Sequence, residues 1–243
     1  MTLPTNLLLA ATMLLASAGH AQADVQLLQP FGTPGGTLNA PWHLAGLPHQ
    51  KKPFTRFSVV ELDGRRALRV EADSSYGNLV HPLHVDGTAL SFSWSWRVDE
   101  FVEESDLKSK NGDDTALKVC VFFDLPITQV PFVERQVLRV ARAASDEPLP
   151  ASTVCYVWDR TLPAGTVLDN PFTHRMRYLV LQSGSQNLHR WLPEHRDVGA
   201  DFLRLFGNES TQIPPIVGVA VGADADNTHG HSVAHVADLV LAP

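Results

Sequence analysis

The chain has 243 residues, and its 26 Asp and Glu outnumber its 19 Lys and Arg, for a formal charge of −7. No basic run exceeds a pair, Lys51-Lys52 or Arg65-Arg66, which excludes a protein that coats nucleic acid through a basic stripe. At 44% hydrophobic and 19% charged, the composition is that of a folded globular protein rather than a disordered chain.

The first 23 residues contain no Lys, Arg, Asp or Glu. Their apolar run, Leu7 to Ala16, precedes small residues and Ala21-Gln22-Ala23, the pattern of a secretory signal peptide cut before Asp24. The run is too short for a bilayer-spanning helix, which needs about 20 apolar residues. No later stretch is long and apolar enough either. The sequence therefore predicts an exported, periplasmic or extracellular protein with no transmembrane segment after cleavage. Residues 24–53 read as an irregular leading segment, and 54–243 as one β-sandwich domain.

Within that domain the hydrophobic pattern has mostly period two. Arg56 to Leu62 and Arg66 to Ala72 flank Asp63-Gly64, a strong hairpin signal. Further strands are expected over Gly77 to Val85, Ala89 to Val98, Thr115 to Phe123, Thr153 to Trp158, Arg175 to Gln182, Ile216 to Ala223 and Ser232 to Leu241. In the fourth of these nine, Phe92, Trp94, Trp96 and Val98 alternate with Ser91, Ser93, Ser95 and Arg97, so one face packs and the other is polar. Two segments break the pattern. Pro131 to Ala144 opens with a favoured first-turn residue and spaces Val133, Val137 and Val140 as one apolar stripe. Glu194 to Phe206 ends before Gly207 and offers Val198, Phe202 and Leu205 as a packing face. The fold class that follows is all-β, a jelly-roll-like antiparallel β-sandwich with two short helical insertions. Cys120 and Cys155 fall in strands expected to be neighbours or to face one another. Free Cys is among the most buried residue types, so two buried thiols are expected ahead of a bridge.

Several blocks in one order carry a resemblance: Trp94-Ser-Trp96-Arg97-Val98, Gly112-Asp113-Asp114, Tyr156-Val-Trp158, Ser183-Gly184 before Trp191, Arg196-Asp197 with Asp201 before Phe206-Gly207, and Asp224-Ala-Asp226-Asn227-Thr228. Over most of the mature chain the sequence is similar to bacterial exported proteins of the domain of unknown function 3047 family. The resemblance implies export but supplies no activity and no catalytic residues.

Chemistry must then be read from side chains. The loop from Asp224 to His231 joins the last two strands and concentrates Asp224, Asp226 and Asn227, hard oxygen donors of the kind Ca²⁺ selects. Its spacing is not that of an EF-hand, and such loops ordinarily use their carboxylates to bind nearby backbone N–H groups. Both readings stand at this point. His229, His231 and His235, within seven residues, raise Zn²⁺ or Cu²⁺ by the same reasoning. Asp113 and Asp114 enter the strand that carries Lys118, and consecutive strand residues point to opposite faces. Arg97, Lys118, Arg175 and Arg177 would form a cationic floor for a carboxylate, sulfate or phosphate group if they shared a side. Neutralisation by Asp113, Asp124, Asp197 and Asp201 is the expectation, since buried charges are paired. The candidate ligand-binding set is Arg97, Asp113, Asp114, Lys118, Asp224, Asp226 and Asn227.

No Gly-x-Ser-x-Gly elbow or phosphate-cradling loop occurs in the sequence. The reading that remains is a non-catalytic binding or structural domain of the cell envelope, its partner a glycan or an anionic or otherwise polar ligand. The alternative is a carbohydrate-active hydrolase or lyase pairing Asp113 or Asp114 with Asp224 or Asp226. A cleft holding two carboxyls about 5 to 10 Å apart distinguishes the enzyme.

Overall fold

The computed structural model describes residues 26–88, 90–145 and 147–243. The expected signal peptide, and the cleavage before Asp24, lie outside the described residues. In chain order the elements are β1 (His43–Ala45), β2 (Arg56–Leu62), β3 (Arg65–Asp73), β4 (Tyr76–Val85), β5 (Ser91–Glu100), β6 (Thr115–Phe123), α1 (Phe132–Ala144), β7 (Ser152–Asp159), β8 (Val167–Asn170), β9 (Thr173–Ser183), β10 (Leu192–Asp197), α2 (Val198–Phe206), β11 (Ile216–Asp224) and β12 (His231–Ala242). They form a seven-stranded sheet, β1-β4-β11-β6-β7-β9-β8, and a five-stranded sheet, β10-β5-β12-β3-β2. The β7–β9 pair is parallel, and the other pairs are antiparallel. The architecture is the jelly-roll-like sandwich that the period-two pattern predicts.

Local chemistry sets the hairpins and the core. Asp63 and Gly64 both take positive φ, 54° and 72°, which gives the two-residue turn a twist matching β2 and β3. On β5, Phe92, Trp94, Trp96 and Val98 are at most 2% exposed, as the alternation requires. They meet β7 across the sandwich, Trp94 with its ring 5.2 Å from Tyr156 and Trp96 6.1 Å from Trp158. α2 closes one end of this core. Its cap, Asp197, accepts from Ala200 N at 2.9 Å, and Phe202 packs 4.7 Å from Phe123. Truncating a buried Phe of this kind costs about 3–5 kcal/mol.

Four expectations change. The predicted second helix starts at Val198 rather than Glu194, because Leu192–Asp197 pairs with β5 as an edge strand and Asp197 then caps the helix. The leading segment is not wholly irregular: β1 pairs with β4, and Leu28 and Trp42 are core residues. Cys120 and Cys155 are on adjacent strands as expected, directly opposite in register, but they are bridged rather than free thiols. The stripe of α1 is also reversed. Leu138 is its buried residue, while Val133, Val137 and Val140 are 71%, 62% and 71% exposed.

Candidate functional site

Two polar regions of the sandwich hold the residues singled out by the sequence. The first lies at the end where β6 begins and β11 finishes. Asp224 accepts from Thr115 N at 2.8 Å and Thr115 Oγ1 at 2.5 Å, while Lys118 Nζ reaches its other oxygen at 2.6 Å. Asp114 accepts from Thr228 N at 2.8 Å and Thr228 Oγ1 at 2.7 Å, and from Asn227 N at 3.2 Å. Asn227 Nδ2 donates to Asp113 O at 3.1 Å. Asp113 takes Tyr178 Oη at 3.1 Å and the Asn170 amide. Lys52 Nζ donates at 2.7 Å to both Asp226 Oδ2 and Asp226 O. Six of the seven candidate residues are therefore brought together across more than a hundred positions of sequence. Gly222 makes room for the surrounding network, since a Cβ there would stand 2.1 Å from Asn78 Oδ1.

This cluster is buried and its acceptors are engaged. Asp113, Asp114, Lys118 and Asp224 are 5%, 1%, 2% and 3% exposed. Burial pushes the Asp113 carboxyl up to about 7, and Asp224 adds to the rise. Burial works against the Lys118 ammonium as well, but Asp224 and Tyr76 outweigh it and keep the group charged. Burial also raises Asp224, with Lys118 opposing. The result is a pair of buried carboxyls in different surroundings, Asp113 pushed toward its neutral form and Asp224 with the Lys118 ammonium at 2.6 Å. For Ca²⁺ the donor set fits poorly: both carboxylate oxygens of Asp224, and Asp226 Oδ2 with its backbone oxygen, already face ammonium, hydroxyl or amide donors. No group of three or more His, Cys, Asp or Glu placed to hold a metal occurs among the described residues. The histidine set is dispersed as well. His231 pairs with Glu71 and Glu100 while His235 lies beside Asp99, because residues i and i+4 of one strand are far apart.

Arg97 belongs to the second region, the outer face of the five-stranded sheet. The register aligns Ser58, Arg69, His235 and Arg97 in one row across β2, β3, β12 and β5. Arg97 holds Asp99 at 2.6 Å and Asp63 at 2.5 Å, and Asp99 also meets His189 at 2.9 Å and His235 at 3.1 Å. In the next row Arg69 and Arg56 both hold Glu71, and Arg69 above all keeps that carboxyl down at about 2. Above these rows stands Trp191, partly exposed, with its ring 6.3 Å from His235 and the Arg65 guanidinium 5.6 Å from its centroid. Arg65 also donates to Asp238 at 2.8 Å and Ser95 at 3.3 Å. The Trp191 indole N–H is buried without a hydrogen-bond partner among the described residues. Sequence reasoning missed Trp191 and Arg65. The outward parity of β12 and β5 was the available signal for this face, but nothing local announces that Trp191 folds over it.

The cationic floor does not assemble. Arg175 and Arg177 lie together on β9, neutralised by Glu209, with Glu134 and Asp169 as further partners. Arg97 and Lys118 are elsewhere. The four cations are neutralised, but by none of the expected partners: Arg97 is held by Asp63 and Asp99, Lys118 by Asp224, and Asp201 serves Arg196 at 2.6 Å. Neither of two surface cavities reaches the acidic cluster. One, of about 260 Å³, is lined by Gln129 and residues 207–212, and the other, of about 190 Å³, by residues including Phe31, Trp42 and Val240.

Residues 40–240 match the family described as "Protein of unknown function (DUF3047)". The chain belongs to this family. No curated protein matches the sequence. Solved structures with a related outline include the family GH12 Endoglucanase 3 of Trichoderma harzianum, at 9% identity over 84% of this chain and 98% of that one, TM-score 0.40. The endo-1,4-beta-glucanase CelB2 is 12% identical over 83% and 95%, TM-score 0.42. TmCBM61, solved in complex with beta-1,4-galactotriose, is 11% identical over 83% and 88%, TM-score 0.34. Similarity at this level assigns no activity or ligand to this member of the family.

Proposed function

We propose that this protein is an exported, non-catalytic binding domain that takes a polar, hydroxyl-rich ligand of glycan type on the outer face of its five-stranded sheet. The observation that carries the reading is Trp191: a partly exposed aromatic, stacked by Arg65 and set over a row of polar side chains. Trp supplies a large rigid apolar surface and the polar row beneath it supplies donors and acceptors, which suits a ligand with both C–H faces and hydroxyls. The charges around it are balanced, Arg97 by Asp63 and Asp99, Arg69 by Glu71, and Arg65 by Asp238. That balance favours a neutral polar ligand over a free anion. Export rests on the first 23 residues, and no helix among the described residues is long and apolar enough to cross a membrane. Calorimetric titration with a panel of neutral and acidic oligosaccharides tests the reading. Binding of at least one neutral member, lost in Trp191→Ala and in the exposed-site variant Arg65→Ala, is the expected result.

One observation favours the hydrolase reading. Asp113, pushed up to about 7, shares the cluster with Asp224, which has Lys118 at 2.6 Å, and two carboxyls in different environments are what acid–base catalysis requires. Burial of both carboxyls weighs against it. Release of reducing ends from any of those oligosaccharides, abolished in Asp113→Asn but retained in Trp191→Ala, would establish the enzyme and displace the binding reading.

A further inference from the structure

α1 sits on the protein with its amphipathic character reversed. Leu138, the partly buried Glu134 and Arg135, and Ala141 face the body. Val133, Val137 and Val140 project into solvent, and Phe132 at the first turn is 71% exposed. Four of the large exposed apolar side chains of the described residues thus belong to one 13-residue helix. Contiguous exposed apolar surface marks an interaction site.

The chemistry beside the stripe selects the occupant. α1 carries Arg135, Arg139 and Arg142 against the single acidic residue Glu134, and Glu134 turns inward onto Arg175. Arg139 and Arg142 are exposed. Arg135 is tied to the carbonyls of Thr128 and Val130, which leaves its charge uncompensated. Glu147, just past the helix, pairs with His43 at 3.2 Å. Arg139 thus flanks the stripe on its Phe132 side, with Arg142 further round the helix and tied to Leu149 O at 2.8 Å, on a protein whose net charge is −7. On a protein of net negative charge, local positive charge of this kind helps to orient the approach to an anionic surface. A second copy of the chain fits less well: the stripe is about 20 Å long and offers on the order of 200 Å², against about 800 Å² per partner in a stable interface.

We propose that α1 docks the protein on an anionic lipid surface, with Phe132, Val133, Val137 and Val140 entering the headgroup boundary, Arg139 contacting lipid phosphates and the charge of Arg142 adding to the local attraction. The arrangement is that of an interfacial amphipathic helix, which combines modest apolar burial with attraction to anionic lipids. It is independent of the ligand face, which belongs to the other sheet.

Co-sedimentation with vesicles tests this, using the chain without residues 1–23, whose apolar run would itself partition into lipid. Vesicles of phosphatidylcholine with one third phosphatidylglycerol should bind the protein, and pure phosphatidylcholine should bind it at least about tenfold less. Val137→Asp combined with Val140→Asp should lower binding to the mixed vesicles by at least about tenfold, as should Arg139→Glu combined with Arg142→Glu. The two valines are exposed, so their variant should keep the melting temperature; Arg142 donates to Leu149 O at 2.8 Å, so Arg139→Glu alone, which leaves that bond in place, should lower binding as well. No binding to the mixed vesicles, binding insensitive to both double variants, or a dimer in sedimentation equilibrium that the valine variant dissolves would overturn the proposal.

Discussion

The acidic end of the seven-stranded sheet and the outer face of the five-stranded sheet are both rich in charge, and they use it in opposite ways. At the acidic end, Lys118, Asp224, Asp113 and Asp114 are buried, each held by hydroxyls, amides or another charge, so the side chains brace loops and offer little to a ligand. On the outer face, Arg65, Arg97, Asp63 and Asp238 lie at the surface in pairs that a ligand can rearrange. Their pH signatures also differ in sign. Asp113 has a folded pKa above its unfolded value, so folding is favoured most below about pH 4 and loses this contribution as pH rises toward 7. Glu71 is the reverse: its contribution is complete above about pH 4.5 and disappears as pH falls toward 2. Carboxylates that look alike in sequence thus divide into a structural set and an accessible set according to burial.

The largest expected effect that sharpens this contrast is Lys118→Ala, which leaves Asp224 buried without its cation and should cost about 3–5 kcal/mol in denaturant unfolding. Arg65→Ala on the outer face should cost no more than about 1 kcal/mol by the same measurement, because both members of the Arg65–Asp238 pair are exposed. Replacing Cys120 and Cys155 by Ala should destabilise by about 3–4 kcal/mol, the value for a bridge closing a loop of this length. Thiol titration of the unreduced, denatured protein should find no free thiol. Asp113→Asn should flatten the fall in stability between pH 4 and 7 and raise stability at pH 8 by about 1–3 kcal/mol relative to wild type. A wild type whose stability is level across that interval would break the account of Asp113. The smallest effect concerns metal: millimolar Ca²⁺, the weak end of extracellular sites, should leave the melting temperature unchanged because both carboxylate oxygens of Asp224 are engaged and Lys52 holds Asp226 Oδ2.

Much of the sandwich was legible from alternation. Phe92, Trp94, Trp96 and Val98 point inward, and Asp63-Gly64 makes its hairpin because both depend on residues adjacent in sequence. The short strands β1, β8 and β10 escaped because three to six residues barely establish a period, and their pairing depends on a free edge supplied by a distant strand. For α1, spacing reveals that Val133, Val137 and Val140 share a face but not whether that face turns inward. The meeting of the Asp224–Asn227 loop with Asp113 and Asp114 was readable, since loops gather at sandwich ends. Their occupancy was not, because Lys118 and Asp224 are 106 positions apart and Asp114 and Thr228 are 114 apart. The Trp191–Arg65 contact was equally hidden, being produced by β10 folding back along β5.

The central claim is that ligand meets the outer face and not the acidic end. Parallel titration of wild type, Trp191→Ala, Arg65→Ala and Asp226→Ala with one neutral oligosaccharide that binds the wild type tests it most directly. Affinity should fall at least about tenfold in the Trp191 and Arg65 variants, while Asp226→Ala binds as the wild type does. Loss of binding in Asp226→Ala, with Trp191→Ala and Arg65→Ala unaffected, would contradict the claim and move the site to the acidic end.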